Sequence, residues 1–105
     1  MYLIREIMYC KPGKVRALLD KFKTMQSMGE RAGMPKMRVM TDVSADRYWT
    51  LVSEMEVESL DKFLSSMGTP QPGQSADDMK KMQEVMKDYH DLVDFGRREI
   101  YKIEM

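Results

Sequence analysis

One cysteine, one histidine, one tryptophan and four prolines in 105 residues deny this chain the raw material of several protein classes. A single thiol closes no internal disulfide, which excludes a disulfide-stapled scaffold and suits a reducing, cytoplasmic compartment. A lone histidine, with no second imidazole near it in sequence, gives no metal-ligand spacing, so no metal is expected. The longest unbroken apolar runs, residues 1–4 and 7–10, are four residues each. A membrane-spanning helix needs about twenty, and Arg5 and Glu6 come too early for a secretory leader. Charge of one sign is also missing: 17 Lys and Arg meet 17 Asp and Glu. Nothing in that balance attracts nucleic acid or an acidic membrane.

What is present is ordinary for a folded domain, with 43% hydrophobic and 32% charged residues. The length allows one domain over residues 1–105, burying about two thirds of its unfolded surface. Residues 2–10 read as a strand with apolar side chains on both alternating faces: Leu3, Ile7 and Tyr9 on one, Ile4, Met8 and Cys10 on the other. Each face also holds one charge, Arg5 or Glu6, so the pattern does not say which face meets helices. Pro12 is placed for a first helical turn. Val15, Leu18, Leu19, Phe22, Met25, Gly29 and Ala32 then recur at helical spacing until Gly33 and Pro35 stop the helix.

Residues 36–44 and 47–58 read as two strands joined by a short Ala45–Asp46 turn. In the second, Trp49, Leu51, Ser53, Met55 and Val57 share a face, and Tyr48, Thr50, Val52, Glu54 and Glu56 take the other. Ser59 caps a following helix with Leu60, Phe63, Leu64 and Met67 inward. The stretch Gly68 to Gln74, with two prolines and two glycines, breaks it and reads as a lid. Ser75 and Asp78 form a second capping pattern ahead of the stripe Met79, Met82, Met86, Tyr89 and Val93, and Gly96 ends that helix. Residues 97–104 close as a strand.

The order strand, helix, strand, strand, helix, strand specifies an α+β, ferredoxin-like βαββαβ domain: a four-stranded antiparallel sheet with helices on one face. Helices cover one side of a sheet, yet these strands are apolar on both. The second side therefore calls for a partner, most simply another copy packed sheet to sheet as a homodimer.

Arg5, the run Lys11-Pro12-Gly13-Lys14 with its following helix, and the passage Trp49 to Leu60 resemble the dimeric α/β-barrel superfamily, which includes NIPSNAP and antibiotic-biosynthesis-monooxygenase-like domains. That resemblance implies two ferredoxin-like units sharing a barrel, with a cavity in each protomer between sheet and helices. It implies no single chemistry, because the superfamily holds cofactor-free monooxygenases, haem-degrading enzymes, isomerases and ligand sensors. The haem-degrading branch uses an Asn with a Trp and a His; this sequence has no Asn.

Candidate residues each carry a functional and a structural reading. His90, at the edge of the last helix's apolar stripe, suits an acid or base reaching the cavity, or a histidine held by a neighbour such as Asp94 or Glu84. Tyr48 as a donor, Arg5 as an anion holder and Glu54 as a base, with Trp49 beside them, could build a pocket; cross-strand packing needs the same residue types. Met82, Met86 and Tyr89 would line the ligand space. Thirteen methionines against seven leucines suit a gap-filled core of adaptable shape better than a thioether copper site, since Met37 and Met40 lie three apart on a strand and point to opposite faces. Cys10 is either a thiolate lowered by Lys11 and a helix start or a small buried hydrophobe. The basic first helix and acidic last helix pair as neighbours.

The expectation is a homodimer binding a small, largely apolar molecule without a cofactor. Either it works as a cofactor-independent monooxygenase- or isomerase-like enzyme using His90, Tyr48 and Arg5, or it is a noncatalytic ligand-binding or protein-interaction module.

Overall fold

The computed structural model describes residues 1–66 and 75–105. In chain order these form β1 (Tyr2–Cys10), α1 (Val15–Arg31), β2 (Arg38–Thr41), β3 (Thr50–Val57), α2 (Leu60–Ser66), α3 (Ala76–Met86), α4 (Tyr89–Leu92) and β4 (Val93–Lys102). The strands make one antiparallel sheet in the order β2-β3-β1-β4, the ferredoxin-like arrangement expected from the element order. The strand that reads as apolar on both sides, β1, occupies the interior of the sheet, paired with β3 along one edge and β4 along the other.

Ile4, Met8 and Cys10 define the helix-facing side. Met8, Cys10 and Leu51 from the sheet pack with Val15, Leu18 and Phe22 of α1, joined by Leu92 and Val93, in one core cluster. Leu18 and Leu51 are both 0% exposed. Leu19 and Met25 complete the stripe expected on α1, half-buried against the same cluster. Gly33, at φ 74, ends α1 as the left-handed geometry requires, with the Met34 N–H donating to Gly29 O at 2.8 Å. The other end differs from expectation. Gly13 has φ 78 and Lys14 N–H closes a turn onto Lys11 O, so Pro12 lies in that turn and the helix begins only at Val15.

The β2–β3 connection is not a two-residue hairpin turn. Both strands are shorter than the pattern suggests, and residues 42–49 form a loop. Asp42 fastens it at both ends: its N–H donates to Thr50 O, and its Oδ1 accepts from the Thr50 N–H at 2.9 Å. Trp49 sits at φ 63, a left-handed conformation that no β-strand residue adopts, so neither Trp49 nor Tyr48 continues the strand. The loop instead folds onto the sheet, where the Tyr9 hydroxyl donates to Asp46 Oδ2 at 2.9 Å and Arg47 stacks over the Tyr9 and Phe95 rings.

The last helix also stops early. The chain turns at Lys87–Asp88, makes the short α4 and enters β4 at Val93, while Leu92 O accepts from Lys11 N–H at 2.8 Å. Leu92 and Val93 are core residues in either conformation, which is why the apolar stripe ran past the true boundary. Gly96 is a strand residue: a Cβ there would meet Ile7 O at 2.8 Å. Both expected serine caps are made, Ser59 Oγ accepting from Lys62 N–H and Ser75 Oγ from Asp78 N–H. Leu64 is 50% exposed, not inward. Met67 and the Gly68–Gln74 stretch read as a lid lie outside the described residues. The complementary charge of the two helices is realised in an exposed Arg31–Asp78 pair at 2.9 Å. No helix among the described residues is long and apolar enough to cross a membrane.

The molecule is thin, 18 Å along its short axis against 38 and 36 Å. Its accessible surface is 7307 Å², whereas a compact monomer of this mass exposes about 6,000 Å².

Candidate functional site

Opposed residues of an antiparallel sheet project from the same face. On the face away from the helices, one register row crosses all four strands: Arg38 of β2, Glu54 of β3, Arg5 of β1 and Glu99 of β4. Its charges alternate. Glu54 Oε1 accepts from Arg38 at 2.6 Å, and Oε2 accepts from Arg5 Nε at 2.7 Å. Arg5 reaches Glu99 at 3.6 Å, and Glu99 is held further by Arg97 at 3.1 Å and by the Tyr101 hydroxyl. Glu54, at 6% exposed, is buried beneath these guanidinium groups. The hydrogen bond from Arg38 is the main cause that holds its carboxyl below the usual carboxylate range, with Arg5 adding to it and burial opposing. Glu99 is lowered likewise, first by Arg97. Glu54 therefore stays ionised and is a poor proton acceptor at neutral pH.

The next row, Met40, Val52, Ile7 and Arg97, is apolar except at its β4 end. Together with the 42–49 loop, these two rows bound an open groove of about 550 Å³. At its β4 side Arg97 donates to the Tyr9 hydroxyl, which in turn donates to Asp46. Phe95 and Tyr101 remain about half exposed on the same face, at 52% and 49%.

Of the residues singled out from sequence, Arg5 and Glu54 meet in this row. Tyr48 and Trp49 belong elsewhere, lining a groove of about 420 Å³ with Gly13 and Arg16 at the start of α1; Tyr48 is 86% exposed. His90 is exposed on α4, its ring edge-on to Tyr89 at 5.5 Å. Tyr89 packs against the core on the helix side, so α4 and Arg5 are on opposite sides of the sheet. The structure does not gather His90, Tyr48 and Arg5 at one place. Met82 and Met86 are half-buried on α3. Met37, just ahead of β2, packs toward the core, while Met40 on β2 lines the opposite groove.

Sequence reasoning missed Arg38, Glu99, Arg97 and Tyr9. The only signal for the three charged residues was charge at alternate strand positions, which becomes a row only once the register is fixed. It also passed over a separate ion pair, Arg98 with Glu6, on the helix-facing side, where Arg98 lies 5.7 Å from the Phe63 ring. Nearby, burial and then the Glu6 charge push the Tyr89 phenol upward. Cys10 is buried and its thiol is raised, first by burial, which makes it a core residue and not a reactive thiolate. Among the described residues no group of three or more His, Cys, Asp or Glu is placed to hold a metal ion.

No protein-family model and no curated protein matches the chain. Solved structures match it over nearly its whole length. A NIPSNAP family protein from Agrobacterium tumefaciens superposes with a TM-score of 0.72 at 10% identity, covering 98% of this chain and 92% of that one. An antibiotic biosynthesis monooxygenase-like protein from Deinococcus radiodurans gives 0.67 at 9% identity, covering 100% and 94%. A dimeric protein of unknown function and ferredoxin-like fold from Bacteroides fragilis gives 0.54 at 11%, covering 97% and 96%. At such identities the likeness is one of fold: this chain folds as NIPSNAP and antibiotic biosynthesis monooxygenase-like proteins do.

Proposed function

We propose that the chain works in the cytoplasm as a homodimer paired through the open face of its sheet, each protomer binding a small, largely apolar molecule between the sheet and the α2–α3 side of its helical layer. The observation that carries this reading is the unequal covering of the sheet. Helix α1 seals its part of the helix side with four buried side chains, whereas α2 and α3 bury none fully. Phe63, Met82, Val85 and Met86 stay half-covered there, and a flexible, methionine-rich wall suits an apolar guest of variable shape. No helix among the described residues covers the opposite face: the 42–49 loop lies over the Tyr9 and Phe95 end, Ile7 is buried, Val52 is half-buried, and Phe95 and Tyr101 are about half exposed.

Two measurements test it. Light scattering at micromolar concentration gives the mass of two subunits; a single-subunit mass overturns the dimer. A thermal-shift screen against apolar metabolites, haem and divalent metals raises Tm with one family of apolar compounds. No stabilisation by any of them leaves the protein-interaction module as the better description.

An enzymatic reading, of the cofactor-independent monooxygenase or isomerase type, draws support from the Glu6–Arg98 pair and Tyr89. These put a guanidinium, a carboxylate and a phenol beside the half-covered stripe, with the His90 ring edge-on to Tyr89, whereas Tyr48 lines the other groove. With a ligand identified, Tyr89→Phe abolishes turnover while leaving binding within a few-fold if the protein is an enzyme. Loss of binding and turnover together assigns Tyr89 to binding alone.

A further inference from the structure

The row Arg38, Glu54, Arg5, Glu99 does more than satisfy itself, and its part in pairing rests on the homodimer proposed above. The open face is about 30 Å by 19 Å in plan, on the order of 600 Å². That approaches the roughly 800 Å² per partner of a stable complex only with the 42–49 loop added. A face of this size tolerates few mismatched charges, so the way its charges oppose their own images decides which pairing forms.

Two face-to-face arrangements related by a two-fold axis keep the strands aligned. If the axis runs across the strands at the level of the row, the row lands on itself, with each arginine over an arginine and each glutamate over a glutamate. If the axis runs along the strands, the row is reversed. Arg38 then opposes the partner's Glu99, and Glu54 opposes the partner's Arg5. The neighbouring row sets half-buried Val52 over the partner's Ile7, which its own chain already buries, so the charges are left to decide the orientation. We infer that the alternating row is an orientation key for self-association: a second copy of this chain docks with β3 over β1 and β2 over β4, and the opposite orientation is rejected by like charge. The modest twist between aligned packed sheets leaves the central pairs opposed.

The key is tested by inverting it. A variant carrying Arg38→Glu, Glu54→Arg, Arg5→Glu and Glu99→Arg keeps the alternation within each chain and still complements itself in the reversed arrangement. Mixed with the unaltered protein and equilibrated, the two sort into separate homodimers, and native mass spectrometry finds the heterodimer depleted about tenfold below its statistical share. A statistical mixture shows that the row plays no part in pairing, and an enriched heterodimer shows the opposite orientation; either result overturns the inference. Because the inverted chain has to fold, a second measurement uses only Arg38→Lys, a change at a largely exposed side chain. Carbodiimide treatment of the dimer then joins the new amine at position 38 to Glu99. Within one chain those positions lie on opposite edge strands, about 14 Å apart, so a zero-length link between them arises only across the interface. A crosslinked dimer without that link overturns the orientation. A chain that runs as a monomer before any treatment overturns the dimer itself, a failure separate from that of the key.

Discussion

The two faces of the sheet are built from alternate residues of the same strands, yet they are held by different forces. On the helix side, Met8 and Leu51 meet Leu18 and Phe22, and close packing fills the space. On the open side, Glu54 is almost as deeply buried as Met8, but beneath two arginine side chains in place of a helix. A face that a covalently attached helix covers can be wholly apolar, because the cover is always present. On the open face an internally neutralised charge row tolerates water, with Phe95 and Tyr101 half exposed at its margin.

The contrast can be broken from its strongest side first. Leu51→Ala removes a fully buried side chain between β3 and α1 and lowers stability by about 3 kcal/mol, measured by urea unfolding; a loss under about 1 kcal/mol means the helix side is loosely packed. Gly96→Ala is next, at about 2 kcal/mol, since its Cβ has to displace the β1 backbone at Ile7. A neutral result there shows that β4 is held less closely than the register implies.

On the open side, Glu54→Gln lowers stability at pH 7 by about 1–2 kcal/mol, because it takes one charged partner from two arginines. Its pH dependence is the sharper readout. Glu54 binds its proton less readily in the folded chain than in the unfolded one, so its contribution is complete above the unfolded carboxylate value, near ~4.3, and is lost as pH falls through the lower folded value. The wild type therefore destabilises with acid more steeply than the variant, and parallel pH profiles refute the role given to the row. His90→Ala has the smallest effect, within about 0.5 kcal/mol, as expected for an exposed ring on a short helix. A larger loss places His90 in a contact that its exposure does not suggest.

Local patterns were readable from the chain where each residue reports on its own neighbourhood. The stripe of α1, the caps at Ser59 and Ser75, and the two apolar faces of β1 all appear in the structure as the spacing requires. The 42–49 loop escaped because Tyr48 and Trp49 have strand-like side chains, while the loop is closed by the Asp42–Thr50 bonds and by the Cys10 N–H donating to Trp49 O. The end of α3 escaped because Leu92 and Val93 are buried whether helical or extended. Of the residues proposed for a site, Arg5 and Glu54 came together and His90 and Tyr48 did not, for periodicity assigns a face only within an element and is silent on where elements lie.

The order of elements, the amphipathic stripe of the first helix and the apolar residues on both faces of β1 were determined by the amino-acid sequence, since each follows from steric and solvation preferences acting over a few residues. The charge row was decided by tertiary structure. Glu54 lies 49 residues from Arg5 and 16 from Arg38, and only the pairing register aligns them; a slip of one residue in any strand would turn its charge to the helix side. Register is set by the joint packing of strands distant along the chain, a property that no local stretch of sequence contains.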